Sequence, residues 1–312
     1  PCGVIIALGG GSVMDAAKAI SAVAGNGGSS WDYVFYGTRE PRPVKKAVPI
    51  ITIPTLAATG SESNEGAVIS NQETLEKAFM CSPLLLPGTA IIDPELMTSV
   101  PRNPTLDGGI DIIVHLIEPY LTGNDCSLVQ DRLTEGLVRV VMEKLPVVLK
   151  KPKDVCARAE IAWASTLALN GLTFAGRSGP FPMHEIEHAI SGITDLSHGR
   201  GLGIILIPYL NLVKKTPAGK RLACLGRELF NARAMRGKSE AEAEQAAING
   251  MEKWLKSLGP VFKLKAHGIS KKTLPVMVEN TIKVGGEGKG YISGPKKLYA
   301  KDILSILEKA YD

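Results

Sequence analysis

The sequence predicts an α/β domain over residues 1–102 followed by an all-α domain over residues 103–312. Three observations carry that reading. Short β-branched apolar runs bounded by glycine and proline are confined to the first third, at 2–8 "CGVIIAL", 47–53 "AVPIITI" and 89–92 "TAII". Between the first two lies 13–24 "VMDAAKAISAVA", alanine-rich with helical spacing, so the chain opens on a β-α-β unit. From about Asn103 the apolar spacing is helical almost to the end, and strands all but disappear.

The elements follow in order. The three apolar runs read as buried strands of a parallel sheet, and 67–70 with 77–80 as a small hairpin in the loop between the second and third. Helices are expected near 105–120, 127–149, 156–172, 183–191, 202–214, 219–231, 239–258, 272–283 and 300–311. Pro104, Asp154 and the Gly259-Pro260 pair supply starts and stops.

Composition narrows the functional classes. With 312 residues, 45% hydrophobic and 21% charged, the chain is long enough for two packed domains of ordinary soluble character. No run of eighteen apolar residues lacks a charge or a helix breaker, and no leader pattern opens the sequence, so a cytoplasmic protein away from membranes is expected. The net charge of +5 comes largely from lysines of the last third, without the interleaved aromatics of a nucleic-acid platform. Five scattered cysteines, Cys2, Cys81, Cys126, Cys156 and Cys224, form no C-x-x-C pair and read as small buried hydrophobes in a reducing compartment.

Two polar, glycine-bearing stretches follow strands. Gly9-Gly10-Gly11-Ser12 joins the first strand to its helix, where exposed amides and the helix dipole attract phosphate. It is neither G-x-G-x-x-G nor a P-loop. Residues 54–64, "PTLAATGSESN", follow the second strand, and loops at the carboxyl ends of parallel strands converge on a ligand crevice.

The histidines carry the sharper signal. Asp111 and His115 are four apart in "GGIDIIVHLIEPYL", on one face of an otherwise apolar helix, where a carboxylate and an imidazole need partners. His184 and His188 repeat that spacing, and His198 lies just ahead of the next apolar helix. An aspartate with three histidines is a sound ligand set for Zn²⁺ or Fe²⁺ with a position open to substrate. His184-Glu185-Ile186-Glu187-His188 also matches the zinc-protease signature H-E-x-x-H. A metzincin continuation fails at Ser191 and Thr194, and a protease would leave Asp111, His115, His198 and both glycine-bearing loops without a role.

Together "GGGSVMDAAKAI", "IPTLAATGSESNEGAVIS", "IIDPELMTSVP", "GGIDIIVHLIEPYLT", "ALNGL" and "MHEIEHAISGITDLSHGRGLGIILIPYL" resemble the iron-containing, or group III, alcohol dehydrogenases, in particular the butanol dehydrogenase and aldehyde reductase branch. The resemblance implies the dehydroquinate synthase-like fold, a Rossmann-like domain followed by a helical one with the active site between them. It implies metal ligands Asp111, His115, His184 and His198, with His188 near nicotinamide and substrate as the proton relay, an imidazole ordinarily titrating near working pH. Gly10, Gly11, Ser12 and Asp15 match the pyrophosphate turn; Thr55, Thr59, Ser61 and Asn64 the loop around phosphates and nicotinamide ribose; Lys77 and Leu96 further cofactor contacts. Glu185 becomes structural.

The implied activity is hydride transfer between NAD or NADP and a small alcohol or aldehyde, assisted by Fe²⁺ or Zn²⁺, in a homodimer. A polyol dehydrogenase of the same superfold and the zinc protease are the alternatives. The family places further βα units ahead of the GGGS turn, with a first glycine turn and the position that selects the cofactor, so the nucleotide-binding domain is expected to be N-terminally incomplete with an unpaired sheet edge. Pro180, Pro182 and Arg200 depart from the family pattern beside the expected pocket.

Overall fold

The computed structural model describes residues 3–123, 127–177, 179–230, 237–260 and 262–312, so Cys2 and Cys126 lie outside the described residues. Strand β1 (Ile5–Gly9) passes through Gly10, the N-cap, into helix α1 (Gly11–Asn26). Strands β2 (Ile50–Pro54) and β5 (Thr89–Ala90) complete a parallel sheet of order β1-β2-β5, with Ile5 opposite Ile50 and Ile51 opposite Thr89. Met14 and Ala17 of α1 pack on Ala7 and Ile50, which fixes the helix to one face of the sheet. The expected hairpin forms as β3 (Gly66–Asn71) and β4 (Glu76–Cys81), antiparallel with Val68 opposite Phe79.

Two expectations fail here for one reason, that apolar or small side chains do not say which face is covered. The runs at 2–8 and 89–92 were expected as buried strands, yet Ile6 is 63%, Leu8 58% and Ile91 49% exposed, and both residues of β5 are exposed. Strand side chains alternate, so Ala7 meets α1 while its neighbours point away from it, and β2 is the only strand paired to β1 among the described residues. The cysteines are not uniformly buried either: Cys156 and Cys224 are exposed free thiols and Cys81 is half-buried. Cys156 stands in the first turn of its helix and Cys224 on the outer face of a strongly amphipathic one.

The remainder is helical: α2 (Arg102–Thr122), α3 (Leu128–Lys150), α4 (Val155–Leu169), α5 (Pro182–Thr194), α6 (His198–Val213), α7 (Gly219–Leu229), α8 (Glu240–Ser257), α9 (Leu274–Gly285) and α10 (Ala300–Tyr311). Local chemistry sets several ends. Asp154 caps α4 by accepting from the Ala157 N–H, and Ser239 with Glu242 closes a reciprocal capping box on α8. Helix α5 begins at Pro182, where a missing N–H costs nothing, and stops at Asp195 in the left-handed region. A two-residue hairpin, β6 (Tyr291–Ile292) with β7 (Leu298–Tyr299), was not expected; it is too short to leave a periodic signature.

Helix α2 is the axis of the helical part. Every residue from Thr105 to Leu121 is buried, with Ile110, Ile113, Leu116 and Ile117 fully inside the main core. Each such side chain contributes about 1.5–3 kcal/mol relative to exposure. Asp107, Asp111, His115 and Glu118 are carried into that apolar surrounding. Asp107 is satisfied there by Arg200 of α6, whose Nε donates to its Oδ1 at 2.7 Å. Removing one partner of such a buried pair strands the other, so Arg200 holds α2 and α6 in register.

Candidate metal and cofactor site

Three helices bring the ligand candidates together. Asp111 and His115 come from the middle of α2, His184 from the first turn of α5, and His198 is the first residue of α6. Asp111 Oδ1 stands 3.5 Å from His115 Nδ1, 3.8 Å from His184 Nε2 and 3.6 Å from His198 Nε2. Ligand atoms of Asp111, His184 and His198 all lie within 4.8 Å of one another, and the His115 and His184 rings stack at 4.5 Å.

The decisive feature is what these atoms lack. Asp111 Oδ1, His115 Nδ1 and His184 Nε2 are buried without a hydrogen-bond partner among the described residues. Buried polar atoms are ordinarily satisfied, and a stranded one costs about 1–3 kcal/mol. The Asp111 and His184 atoms together with His198 Nε2 lie close enough to share a cation, His115 borders that group with Nδ1 3.5 Å from Asp111 Oδ1, and one carboxylate with imidazoles is the donor set of Fe²⁺ or Zn²⁺.

Two carboxylates aim the ligands. Glu118 Oε2 lies 2.5 Å from His184 Nδ1, and Glu187 Oε2 contacts His198 Nδ1. Each turns Nε2 of its imidazole toward Asp111 and makes that nitrogen a stronger donor. Neither was anticipated. Glu118 was nonetheless legible, seven residues after Asp111 and three after His115, hence on the same helix face. Glu187 was hidden inside the H-E-x-x-H match.

Electrostatics agree with the geometry. Burial pushes the Asp111 carboxyl up, but His115, His198 and His184 outweigh it and hold it well below the usual carboxylate range. Burial lowers His115 to about 3, leaving it neutral as a ligand must be. Burial also opposes charge on His184, yet Glu118 and Asp111 prevail and raise it. That proton and a metal ion compete for one nitrogen.

His188 is separate. Its ring lies 6.4 Å from that of His184 and 5.5 Å from that of His198, on the cleft wall and outside the ligand group. The pairing that H-E-x-x-H suggests, His184 with His188 on one ion, is therefore not the one the fold makes. Burial and the neighbouring His198 and His184 push its imidazole well below the ordinary range, which corrects the expectation of titration near working pH. His188 is neutral near pH 7.

The cleft has a volume of about 930 Å³ and runs from these histidines to the glycine turn. Gly11, Ser12, Asp15, Thr59, Ser61, Asn64 and Lys77 line it. Gly10, Thr55 and Leu96 do not: Gly10 caps α1 through its carbonyl, Thr55 returns its N–H to Gly9, and Leu96 sits in an outlying turn, 40% exposed. Gly11 is held glycine by protein contact, since a Cβ there would lie 2.5 Å from the Thr59 methyl.

Several lining residues serve a buried cation that sequence reasoning missed. Lys18 is fully buried, and its three N–H groups reach Ser61 Oγ at 2.8 Å, Asn64 Oδ1 at 3.0 Å and the Gly66 carbonyl at 2.7 Å. Ser61 donates onward to Asp15 Oδ1 at 2.6 Å, and Asp15 Oδ2 accepts from the Val68 N–H at 2.9 Å. Both Asp15 oxygens are thus engaged, and a carboxylate would repel a phosphate; Asp15 ties α1 to the loop and hairpin. Burial lowers the Lys18 ammonium to about 8, against the pull of Asp15 and Glu62. The available signal was an aspartate and a lysine three apart on one face of an alanine-rich helix.

The comparisons with known proteins cover both parts. Residues 1–94 match the iron-containing alcohol dehydrogenase model, and residues 105–311 the C-terminal model of the Fe-containing alcohol dehydrogenase family. The chain is 33% identical to NADH-dependent butanol dehydrogenase A of Clostridium acetobutylicum over 307 residues, covering 98% of this chain and 77% of the relative. It is 33% identical over 277 residues to the NADPH-dependent aldehyde reductase YqhD of Escherichia coli, covering 88% and 70%. The crystal structure of NADH-dependent butanol dehydrogenase A from Thermotoga maritima superposes with a TM-score of 0.91 at 32% identity, over 99% of this chain and 77% of that one. With both halves matched in sequence and the backbone matched across the cleft, this chain belongs to the iron-containing alcohol dehydrogenase family.

Proposed function

We propose that this chain transfers a hydride between the nicotinamide of NAD(H) or NADP(H) and a small aliphatic alcohol or aldehyde. The observation that carries the reading is the meeting of three unpartnered buried ligand atoms, on Asp111, His115 and His184, at the end of a cleft that reaches the glycine turn. Asp111, His115, His184 and His198 would hold the divalent ion. When bound, that ion supplies Lewis acidity for a substrate oxygen and the nicotinamide supplies or accepts the hydride.

The chain's own residues do the rest. Glu118 and Glu187 keep His184 and His198 in their ligating orientation. His188, neutral and a weaker base than an ordinary imidazole, would pass a proton between the substrate oxygen and solvent along its ring nitrogens without holding it. Ser12, Thr59 and Lys77 offer the donors for phosphate and ribose. Leu169, Phe174, Phe181 and Ile292 form the apolar wall that excludes water and favours an aliphatic substrate. Residues 1–102 act as the nucleotide domain and 103–312 as the metal and substrate domain. A polyol is the second reading, favoured by Asn170 and Ser293 on the same wall.

The finer assignments rest on less. Resemblance supports a homodimer, scattered free thiols support a cytoplasmic setting, and the donor set suits zinc as well as iron. Among the described residues no helix is long and apolar enough to cross a membrane.

The test is oxidation of NADH or NADPH by butyraldehyde, with glyceraldehyde for comparison, before and after chelation. Aldehyde-dependent turnover that chelation abolishes and Fe²⁺ or Zn²⁺ restores supports the reading. Turnover indifferent to metal, or none with any aldehyde, would refute it.

A further inference from the structure

The hairpin β3–β4 touches the metal-bearing helix α5 at one polar point. Lys77 Nζ, on β4, donates to Ser191 Oγ at 2.8 Å. Ser191 Oγ in turn lies 3.1 Å from Glu187 Oε2 and 3.2 Å from the Glu187 carbonyl, one turn earlier on α5. Glu187 Oε2 contacts His198 Nδ1, and His198 Nε2 faces Asp111 Oδ1 at 3.6 Å. We propose that Ser191 is a positioning residue, coupling the cofactor side of the cleft to the metal ligand His198 through the side chains Lys77, Ser191, Glu187 and His198. The proposal rests on the dehydrogenase reading above.

The contact is built in. Gly192 lets α5 approach the hairpin turn, since a Cβ there would stand 2.8 Å from the Leu75 carbonyl oxygen. Leu75 takes a positive φ of 56° in that turn, and its carbonyl also accepts from Asn280 Nδ2 of α9 at 3.4 Å. The turn is thereby held between α5 and α9, and Lys77 follows two residues later.

The chemistry of each member suits the coupling. Lys77 has three N–H donors and gives one to Ser191; it lines the cleft, where the others suit a ribose hydroxyl or phosphate oxygen. Ser191 therefore aims the ammonium without consuming it. Glu187 is fully buried, and among the described residues Oε1 has no partner, so Oε2 carries its polar contacts. Among the described residues, Ser191 is the one group besides His198 that hydrogen-bonds this carboxylate. Its orientation, and with it the direction in which His198 Nε2 points, depends on the Ser191 hydroxyl. Hydrogen bonds in a low-dielectric chain polarise one another, so a ligand that draws on Lys77 alters the far end.

The experiment follows transfer of metal from the loaded protein to a coloured chelator, with and without saturating NAD(P)H. Ser191→Ala is expected to release metal roughly tenfold faster, as loss of an outer hydrogen-bond partner does, and Lys77→Met about threefold faster. The double variant should release metal no faster than Ser191→Ala alone, because both break one chain. Ser191→Thr, which keeps the hydroxyl, should restore retention. In the parent, NAD(P)H should slow release; in Ser191→Ala that effect should vanish.

Parental release from Lys77→Met, or multiplying effects in the double variant, would overturn the proposal. Should Ser191→Ala fail to fold, Lys77→Met still decides, since Lys77 is half-buried at the cleft and its hydrogen bond goes to Ser191 and to none of the four metal-ligating side chains. A parent that retains metal yet reduces no aldehyde defeats the dehydrogenase reading while release still reports on the chain.

Discussion

The two ends of the cleft are built on opposite principles. At the helical end, polar atoms on Asp111, His115 and His184 are buried and left unpartnered among the described residues. At the α/β end, every strong polar group around Lys18 is matched: its three protons find three acceptors, Ser61 donates to Asp15, and Asp15 accepts from Val68. Unsatisfied groups on rigid helices mark where a ligand completes the structure, whereas satisfied groups mark scaffold that shapes a ligand's surroundings. Residues of similar type in one cleft therefore serve different purposes, and only their partners tell them apart.

Asp111→Ala gives the sharpest test of this contrast, because it removes the atom that the three histidines face. Metal affinity should fall on the order of a hundredfold or more, measured as metal per chain after gel filtration, with helical circular dichroism retained. An Asp111→Ala protein with full metal content would end the distinction. Glu118→Gln comes next: the amide preserves shape but not charge behind His184, so affinity should fall about 10–100-fold in a competition titration. An unchanged affinity would reduce Glu118 to a helix brace.

At the other end, Lys18→Met should act on cofactor rather than metal. The expected effect is a KM for NAD(P)H raised several-fold with metal content unchanged, since the loop bearing Ser61 and Asn64 loses its common anchor. A pH dependence accompanies it. The folded Lys18 releases its proton near pH 8 while the unfolded lysine holds it to about 10.5. Between those values the unfolded state binds more protons, so rising pH stabilises the folded parent relative to Lys18→Met. Thermal midpoints of both proteins at pH 7 and pH 9.5 should diverge in the parent's favour, and parallel shifts would show that the ammonium is not strained by burial. The smallest effect is expected from Gly11→Ala, where the added methyl meets Thr59; overpacking of this kind costs about 1–3 kcal/mol, read as a lowered unfolding midpoint.

Much of the fold was legible because periodicity is local. The helices fall within a few residues of their expected spans, and the hairpin β3–β4 forms at the expected 67–70 and 77–80. Errors arose where the deciding quantity was which neighbour covers a face. The apolar run of β1 gave no warning that Ile6 and Leu8 would be exposed, nor did the cysteines signal that Cys156 and Cys224 face outward. In the site, Asp111 and His115 were readable from four-residue spacing on an apolar helix, and His184 and His198 from resemblance. Glu118 shares the spacing logic of Asp111 and was overlooked. Lys18 sat within a quoted motif as one more helical lysine, because its three acceptors lie more than forty residues away.

Sequence alone determined the order of elements, the residue types available to a cation and the family, since these depend on spacing within one element and on motif order. Tertiary structure decided the pairings. H-E-x-x-H joins His184 to His188 by one turn of helix, a geometry any helix supplies. The packing of α6 against α2 and α5 instead sets His198 beside His184 and Asp111, and the carboxylates of Glu118 and Glu187 turn the two imidazoles inward. Which histidines stand close enough to share an ion depends on how three helices cross, and that crossing follows from burial of the apolar faces around α2, far from any single motif.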